Sequence, residues 1–393
     1  MTPLYDAIRA YAAQKPTRFH MPGHKGSFLP VSELQSIAPL DVTEVEPTGD
    51  LFSGGEPFDT AQKLWAERFG MDNCLFLTGG STLGLHAALA LFCRPGDQVL
   101  IDRGCHRAVY NALALLDLEP VYLPRPWRAG EGIAGPISPQ DVENLLNPHP
   151  NIKTICITSP TYSGVLSDIK ELSHIIHARG GNLIVDGAHG AHLPFLGVDA
   201  FSGCDALICS AHKTLPALGQ SALLFTNGLD PRRVRQMTSV FGSSSPSYPM
   251  MISLDCARDY LDGKGSEEYR RVARRTAALR AAFPSLHEGE LRLDPTRLTL
   301  TSPDGNALAQ ALEGENIWPE MADSGHVVLI LTAQDSEDDL HRLEEALQRH
   351  RDLLGTPPIL PPPPMPKSVR SLREALFAPV ERLPLEYRLG RVA

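Results

Sequence analysis

The chain has 393 residues, with 36 Lys and Arg against 46 Asp and Glu and a formal net charge of −10; 42% of residues are hydrophobic and 21% charged. Such a length suggests two or three domains, or one large core with a smaller partner, and the composition excludes disorder over most of the chain. An acidic balance speaks against nucleic acid as a partner, because phosphate binding needs clustered Lys and Arg.

Residues 1–15 are expected to form a short amphipathic helix with Leu4, Ile8 and Tyr11 on one face. Asp6 and Arg9 interrupt its apolar positions, so the segment has no signal-peptide core, and no apolar run is long enough to span a bilayer. A cytoplasmic protein without membrane contact is expected. From Pro16 to Asp59 the chain is rich in Gly, Pro and Thr and only weakly periodic. An alternation comes next: helix 61–69, strand 74–77, a helix from about Ser81, strand 98–101, helix 106–116, strand 119–123 and helix 138–146. It continues with the strand KTICIT, helix 168–179 and the strands NLIVD, DALICS and SALLFT. Short, wholly apolar strands between helices mark an α/β protein with a mostly parallel sheet covered on both faces. The crowding of strands around 205–226 leaves no room for a crossover helix and suggests a mixed edge.

Beyond about 245 the texture changes to long helices (249–262 and 266–282), then strand 296–301, helix 305–313, strand 326–331 and helix 336–349. The expected organisation is an N-terminal arm over 1–60, a large domain over 61–245 and a smaller α+β domain over 246–393. The last contains a proline-rich tether, TPPILPPPPMP, at 356–366. Seven scattered cysteines, with no C-x-x-C pair, fit neither a disulfide framework nor a zinc knuckle.

Ligands of open α/β sheets sit at the carboxyl ends of the strands, and four such places carry reactive residues. In LFLTGGSTLGLHAAL a strand runs through Gly79, Gly80, Ser81 and Thr82 into a helix, offering free N–H groups and hydroxyls to an anion; an ordinary cap by Ser81 is the plainer alternative. In NLIVDGAHGAH, Asp186 ends a very apolar strand, where a carboxylate needs a cation or a donor. It could pair with a cofactor ring nitrogen, ligate a metal together with His189 and His192, or cap the next turn. In DALICSAHKTLPALGQSALL, Ser210 closes a strand just before His212 and Lys213; burial lowers a lysine's pKa and makes it a nucleophile towards carbonyls, whereas a solvated loop lysine would do nothing. In DRGCHRAVYNAL, His106 stands at a helix start, where capping is a sufficient explanation. Taken together, an anion cradle, a strand-end carboxylate and a strand-end lysine suit pyridoxal phosphate, with Lys213 bonded to the aldehyde carbon, Asp186 on the pyridine nitrogen and the glycine-serine turn on the phosphate. A metal site would leave Lys213 and the glycine turn without a role.

The stretches FHMPGHKGS, DVTEVEPTGDLF, FLTGGSTLGLHAAL, DRGCHRAVYNAL, SPTYSGVLSDI, VDGAHGAHLPF, SAHKTLPALGQSALL and SSSPSYPMMISLD, in this order over about 20–255, resemble the bacterial ornithine/lysine/arginine decarboxylases. Those enzymes have the aspartate-aminotransferase fold (fold type I), and the likeness is to their short form without an N-terminal receiver-like domain. NIWPEMADSGHVVLIL is a weaker echo in the small domain. The resemblance implies pyridoxal phosphate carried as a Schiff base on Lys213, with His212 and Ser210 assisting its phosphate and His212 a candidate proton donor. Gly80, Ser81 and Thr82 would cradle the phosphate, His106 would stack on the ring, and Asp186 would bind its nitrogen, with Ala188 beneath the ring and His189 beside it. Ser244, within Ser243–Ser245, would reach the phosphate of a neighbouring subunit, and Glu320 would lie near the substrate. Asp50, Asp41 and Glu44 are further acids for a distal cation.

By the same resemblance the activity is expected to be decarboxylation of a basic amino acid, arginine first and then lysine or ornithine. Sites shared in a homodimer or larger oligomer, and an amine product for polyamine biosynthesis, belong to the same expectation. An aminotransferase or a cofactor-binding but silent paralogue are the alternatives. Two departures from the family pattern bear on it. GSSSP replaces a Thr-containing segment, and after YRLGRVA relatives continue into a proline-glycine stretch, which puts one wall of the substrate pocket in question.

Overall fold

A computed structural model describes residues 1–365, 368–382 and 384. In chain order, α1 (Pro3–Ala13) precedes a long, largely irregular segment, then α2 (Phe58–Phe69), β1 (Asn73–Leu77), α3 (Gly80–Phe92), β2 (Gln98–Asp102), α4 (Arg107–Leu116) and β3 (Glu119–Leu123). A small hairpin of β4 (Trp127–Arg128) and β5 (Ile133–Ala134) leads to α5 (Pro139–Leu146), β6 (Thr154–Thr158), α6 (Ile169–His177), β7 (Asn182–Asp186) and β8 (Ala206–Ser210). A single turn, α7 (Ala211–Thr214), then precedes β9 (Ala222–Thr226), α8 (Pro231–Phe241), α9 (Tyr248–Tyr260) and α10 (Ser266–Ala282). The remainder is β10 (Arg297–Thr301), α11 (Gly305–Gly314), β11 (Met321–Ala322), β12 (His326–Ile330), α12 (Glu337–Arg349) and α13 (Leu372–Phe377).

The seven-stranded sheet has the order β1-β9-β8-β7-β6-β2-β3, with parallel pairing from β8 through β3 and β9 antiparallel to both its neighbours. This is the expected mixed edge. Reversal of β9 alone leaves the carboxyl ends of β1, β2, β6, β7 and β8 on one side, so the loops carrying Gly80, His106, Tyr162, Asp186 and Lys213 open onto a common rim. The strands are short and apolar because both faces are covered, and β8 and β9 are buried at every position. Across the sheet α3 comes unusually close: a Cβ on Gly84 would stand 2.7 Å from Leu77 Cδ1 and 2.9 Å from Ile208 Cγ2, so only glycine admits this approach. Polar α8 (PRRVRQMTSVF), whose Arg232-Arg233 pair reads from the sequence as a solvated helix face, buries little more than Val234 and Thr238.

The apolar side chains divide into two main cores. Those of α9, with Leu261 and Tyr269, belong to the larger one, and the smaller begins at Val272 within α10. The change of texture near 245 thus marks longer helices, and the core changes later. Leu4, Ile8 and Tyr11 of α1 also join the larger core, so the arm is anchored by its helix; Asp255 of α9 accepts the Leu4 and Tyr5 N–H groups that begin α1. The smaller core lies under the three-stranded sheet β10-β12-β11. The segment before β10 is tied to the loop after β6, where Asp294 N–H donates to Gly164 O at 2.8 Å and Leu166 N–H to Arg292 O at 2.9 Å. The proline-rich segment lies against the body, with Trp127 Nε1–H donating to Leu360 O. Its last residue, Pro366, and the closing YRLGRVA are outside the described residues.

Candidate active site

The strand ends enclose a cavity of about 830 Å³, large enough for a cofactor and a small substrate together. The end of β1 supplies Gly79, Gly80, Ser81 and Thr82. Gly80 has φ +68°, which bends the chain directly into the thirteen-residue α3 and leaves its first N–H groups without helical acceptors. Ser81 Oγ lies 2.6 Å from Ser210 Oγ at the end of β8, so two hydroxyls from different strands converge at that helix start. Such a pairing of hydroxyls and helix N-terminus is suited to a phosphate.

Asp186 is 2% exposed and accepts one hydrogen bond among the described residues, from Ala188 N–H at 3.2 Å to Oδ1. Burial raises its pKa from 3.8 to about 6, opposed by the Ala188 hydrogen bond and Lys213. The carboxylate therefore caps the turn and still has an oxygen to give, the condition in which a buried acid most favours a cationic partner. Lys213, in the turn α7, is half-buried and reaches into the same cavity; burial lowers its pKa, against the pull of Asp186 and Glu320. Its Nζ is 3.1 Å from His189 Nε2. His212, next in chain, donates Nδ1–H to Ser221 O at 2.9 Å, so Nε2 is the nitrogen left for chemistry.

His106 caps α4, its Nδ1 accepting Ala108 N–H at 3.2 Å, and it also lines the cavity; burial, Lys213 and Arg107 lower its pKa and favour the neutral ring. Ala188 and His189 line the same cavity. Glu320, from the small domain, enters the rim as the hydrogen-bond partner of Tyr162 OH. Thus Gly80, Ser81, Thr82, His106, Asp186, Ala188, His189, Ser210, His212, Lys213 and Glu320 all line one space.

Other candidates lie elsewhere in the chain. Asp50 uses its carboxylate on the Phe52 and Ser53 N–H groups and the Ser53 hydroxyl of its own turn, Asp41 pairs with His24, and Glu44 accepts Thr43 Oγ1–H. Ser244 is exposed in the loop before α9 and does not line the cavity of its own chain. The metal alternative is not assembled: His192 turns away to Asp294, 3.0 Å away, and no cluster of three or more metal-type ligands occurs among the described residues.

Sequence reasoning passed over several residues. Tyr162 comes after β6 and obeys the strand-end rule that found the others. Asp102 ends β2 and is held by Arg125 in a buried ion pair at 2.6 Å, with Arg125 Nη1–H also bonded to Gly135 O at 3.0 Å. Their charges cancel at the cavity floor, so they shape the site and leave Glu320 as the acid facing the rim. Arg297 arrives from another domain, and no local pattern announces it.

With a lysine in the turn after β8 and a carboxylate at the end of its parallel neighbour β7, the chain has the fold type I architecture of the aspartate-aminotransferase class. The match to the family "Orn/Lys/Arg decarboxylase, major domain" covers residues 2–302. The chain belongs to this family. It is 33% identical over 353 residues to the uncharacterized protein YaaO of Bacillus subtilis (strain 168), covering 84% of this chain and 74% of that one. It is 29% identical over 425 residues to an arginine decarboxylase of the same organism, covering 100% and 87%. In three dimensions it resembles the Francisella novicida lysine decarboxylase LdcF, with a TM-score of 0.77 at 20% identity, covering 90% of this chain and 60% of that one. The chain therefore spans about three-fifths of that larger enzyme's length.

Proposed function

We propose that the protein is a pyridoxal-phosphate-dependent decarboxylase of a basic L-amino acid, with arginine the first substrate and lysine or ornithine next. The observation that carries the reading is Lys213, in the turn just after β8, lining the same cavity as the buried Asp186 of neighbouring β7 and the Ser81–Ser210 pair. A metal-dependent hydrolysis would leave that lysine and that anion cradle idle. The arginine preference is supported by the full-length likeness to an arginine decarboxylase.

Pyridoxal phosphate, when bound, supplies an electrophilic aldehyde and a ring that accepts the electron pair left behind as CO2 departs. Lys213 Nζ would hold the aldehyde carbon until the substrate's amine takes its place. Gly80, Ser81, Thr82 and Ser210 bind the phosphate. Asp186 keeps a proton on the ring nitrogen, a task for which its buried, half-satisfied carboxylate is suited. His106, Ala188 and His189, which line the cavity, would lie against the ring. His212 Nε2 or Lys213 Nζ returns a proton to the α-carbon. Glu320, oriented by the Tyr162 hydroxyl, receives the distal cation of the substrate.

The exposed Ser243–Ser245 loop suits a phosphate contact made across subunits, and we assign the working form as a homodimer or larger homo-oligomer. No helix among the described residues is long and apolar enough to cross a membrane. We place the enzyme in the cytoplasm, its amine product feeding polyamine biosynthesis. The test is CO2 release from L-arginine, L-lysine and L-ornithine with pyridoxal phosphate, alongside Lys213→Ala. Release from one substrate that vanishes in the variant is expected; an oxo acid as product would instead indicate transamination, and turnover by pure Lys213→Ala would overturn the assignment.

A further inference from the structure

Arg297 has no part in the chemistry above, yet its side chain is spent on the active-site lysine's neighbour. It opens β10 and is 1% exposed. Its stem lies against Gly164, which has φ +87° and where any Cβ would stand 2.8 Å from Arg297 Cβ and Cγ; the turn after β6 is thus shaped to receive it. Arg280 Nη2–H donates to the Arg297 carbonyl at 2.6 Å and to Asp294 O at 2.7 Å, holding the start of the strand. The guanidinium makes one side-chain hydrogen bond, Nη2–H to His189 Nδ1 at 3.4 Å, while Nε and Nη1 have no partner among the described residues.

That single bond determines a protonation pattern. A guanidinium only donates, so His189 Nδ1 must accept, and a neutral imidazole then carries its proton on Nε2. Nε2 is 3.1 Å from Lys213 Nζ. An Nε2–H needs a lone pair opposite, which an amine has and an ammonium lacks. His189 is kept neutral by burial and by the Arg297 guanidinium, and its ring is braced against Tyr162, 4.7 Å between centroids.

We propose that Arg297 is a positioning residue which, through the tautomer it imposes on His189, holds Lys213 as the neutral amine needed to capture a carbonyl cofactor. The inference rests on the cofactor reading above. The charged and titratable groups around Lys213 are divided. Asp186 at the end of β7 and Glu320 from the small domain favour the ammonium, while burial and Arg297 from β10 hold it back; the imidazoles of His189 and His106 are themselves kept towards the neutral form. In capture, the Nζ lone pair bonds to the aldehyde carbon, and the carbonyl oxygen leaves as water with both amine hydrogens.

The test uses full-length protein stripped of cofactor and mixed with pyridoxal phosphate between about pH 6 and pH 10, following the absorbance of the lysine–cofactor adduct; the midpoint of capture rate against pH reports the amine's pKa. Arg297→Met removes donor and charge, whereas His189→Phe keeps the charge and the ring contact but breaks the relay. Each is expected to raise the midpoint by about one unit, which slows capture roughly tenfold at a pH below both midpoints. Arg297→Lys, which restores a cationic donor, should return the midpoint close to wild type. Unmoved midpoints in variants with wild-type circular dichroism would overturn the proposal, as would a shift in Arg297→Met with none in His189→Phe, which would indicate charge acting through space. Should Arg297→Met not fold, His189→Phe decides alone. Absence of any adduct in the wild type would refute the cofactor reading itself, a different result from equal midpoints.

Discussion

Replacing Asp186 by Asn should make the cofactor-free protein more stable at neutral pH, because the site buries a charge whose partner is supplied by the ligand. The carboxyl is 2% exposed and its pKa is raised from 3.8 to about 6, chiefly by burial. A difference of roughly two units corresponds to about 3 kcal/mol between the protonation states. A carboxyl whose folded pKa lies above its unfolded one contributes stability that is complete below about pH 4 and is lost as pH rises through about 6. Asn does not titrate, and its Oδ1 can still accept the Ala188 N–H. Relative to Asn, the wild type should therefore lose about 3 kcal/mol between about pH 4 and pH 7. The assay is urea unfolding of both cofactor-free proteins at several pH values and one protein concentration, so that association does not shift the comparison. The difference should track a single titration and reverse in sign when pyridoxal phosphate is added, while the variant's turnover falls by about 10²–10³-fold. A pH-independent difference, or a wild type that is the more stable at pH 8 without cofactor, would refute the reasoning.

Glu320→Gln keeps the Tyr162 hydrogen bond in shape but removes the charge at the rim. A charge-assisted contact contributes about 1.5–3 kcal/mol, so kcat/KM for the preferred basic amino acid should fall by roughly ten- to a hundredfold, and an unchanged ranking of arginine, lysine and ornithine would count against Glu320 as the substrate's acid. Asp294, fully buried and bonded to His192 and to Thr296 N–H, has its pKa held well down, chiefly by His192 against the cost of burial. Its contribution is present above the unfolded carboxylate pKa and is lost as pH falls, so Asp294→Asn should cost about 3–5 kcal/mol at pH 7 and progressively less below pH 4 in urea unfolding.

Much of the larger domain was readable because its signals are local. The runs LIV in β7 and ALIC in β8 are unbroken apolar stretches since both faces of these strands are covered, and a strand of that kind needs no distant residue to declare itself. The reactive side chains stand immediately after such strands, which is why Asp186, His212 and Lys213 stand out in the sequence alone. Helix α8 is faint in the sequence, suggested only by its Arg232-Arg233 face, because its polar sequence buries only a narrow stripe. Helix length is written in local periodicity, whereas the choice of which core α9 joins depends on partners far away in the chain.

Taken alone, the sequence determined the strand-helix alternation and the family, and it singled out residues that line the cavity, since each rests on short patterns with fixed spacing. Only the tertiary structure decided how those residues are tuned. It paired Ser81 with Ser210 across two strands, satisfied Asp50 within its own turn while bringing Glu320 in from another domain, and drew His192 away to Asp294. It also placed Arg297 behind His189. These are contacts between segments remote in sequence, selected by burial and by which hydrogen-bond donors and acceptors remain unsatisfied, and neither quantity exists until the chain has packed.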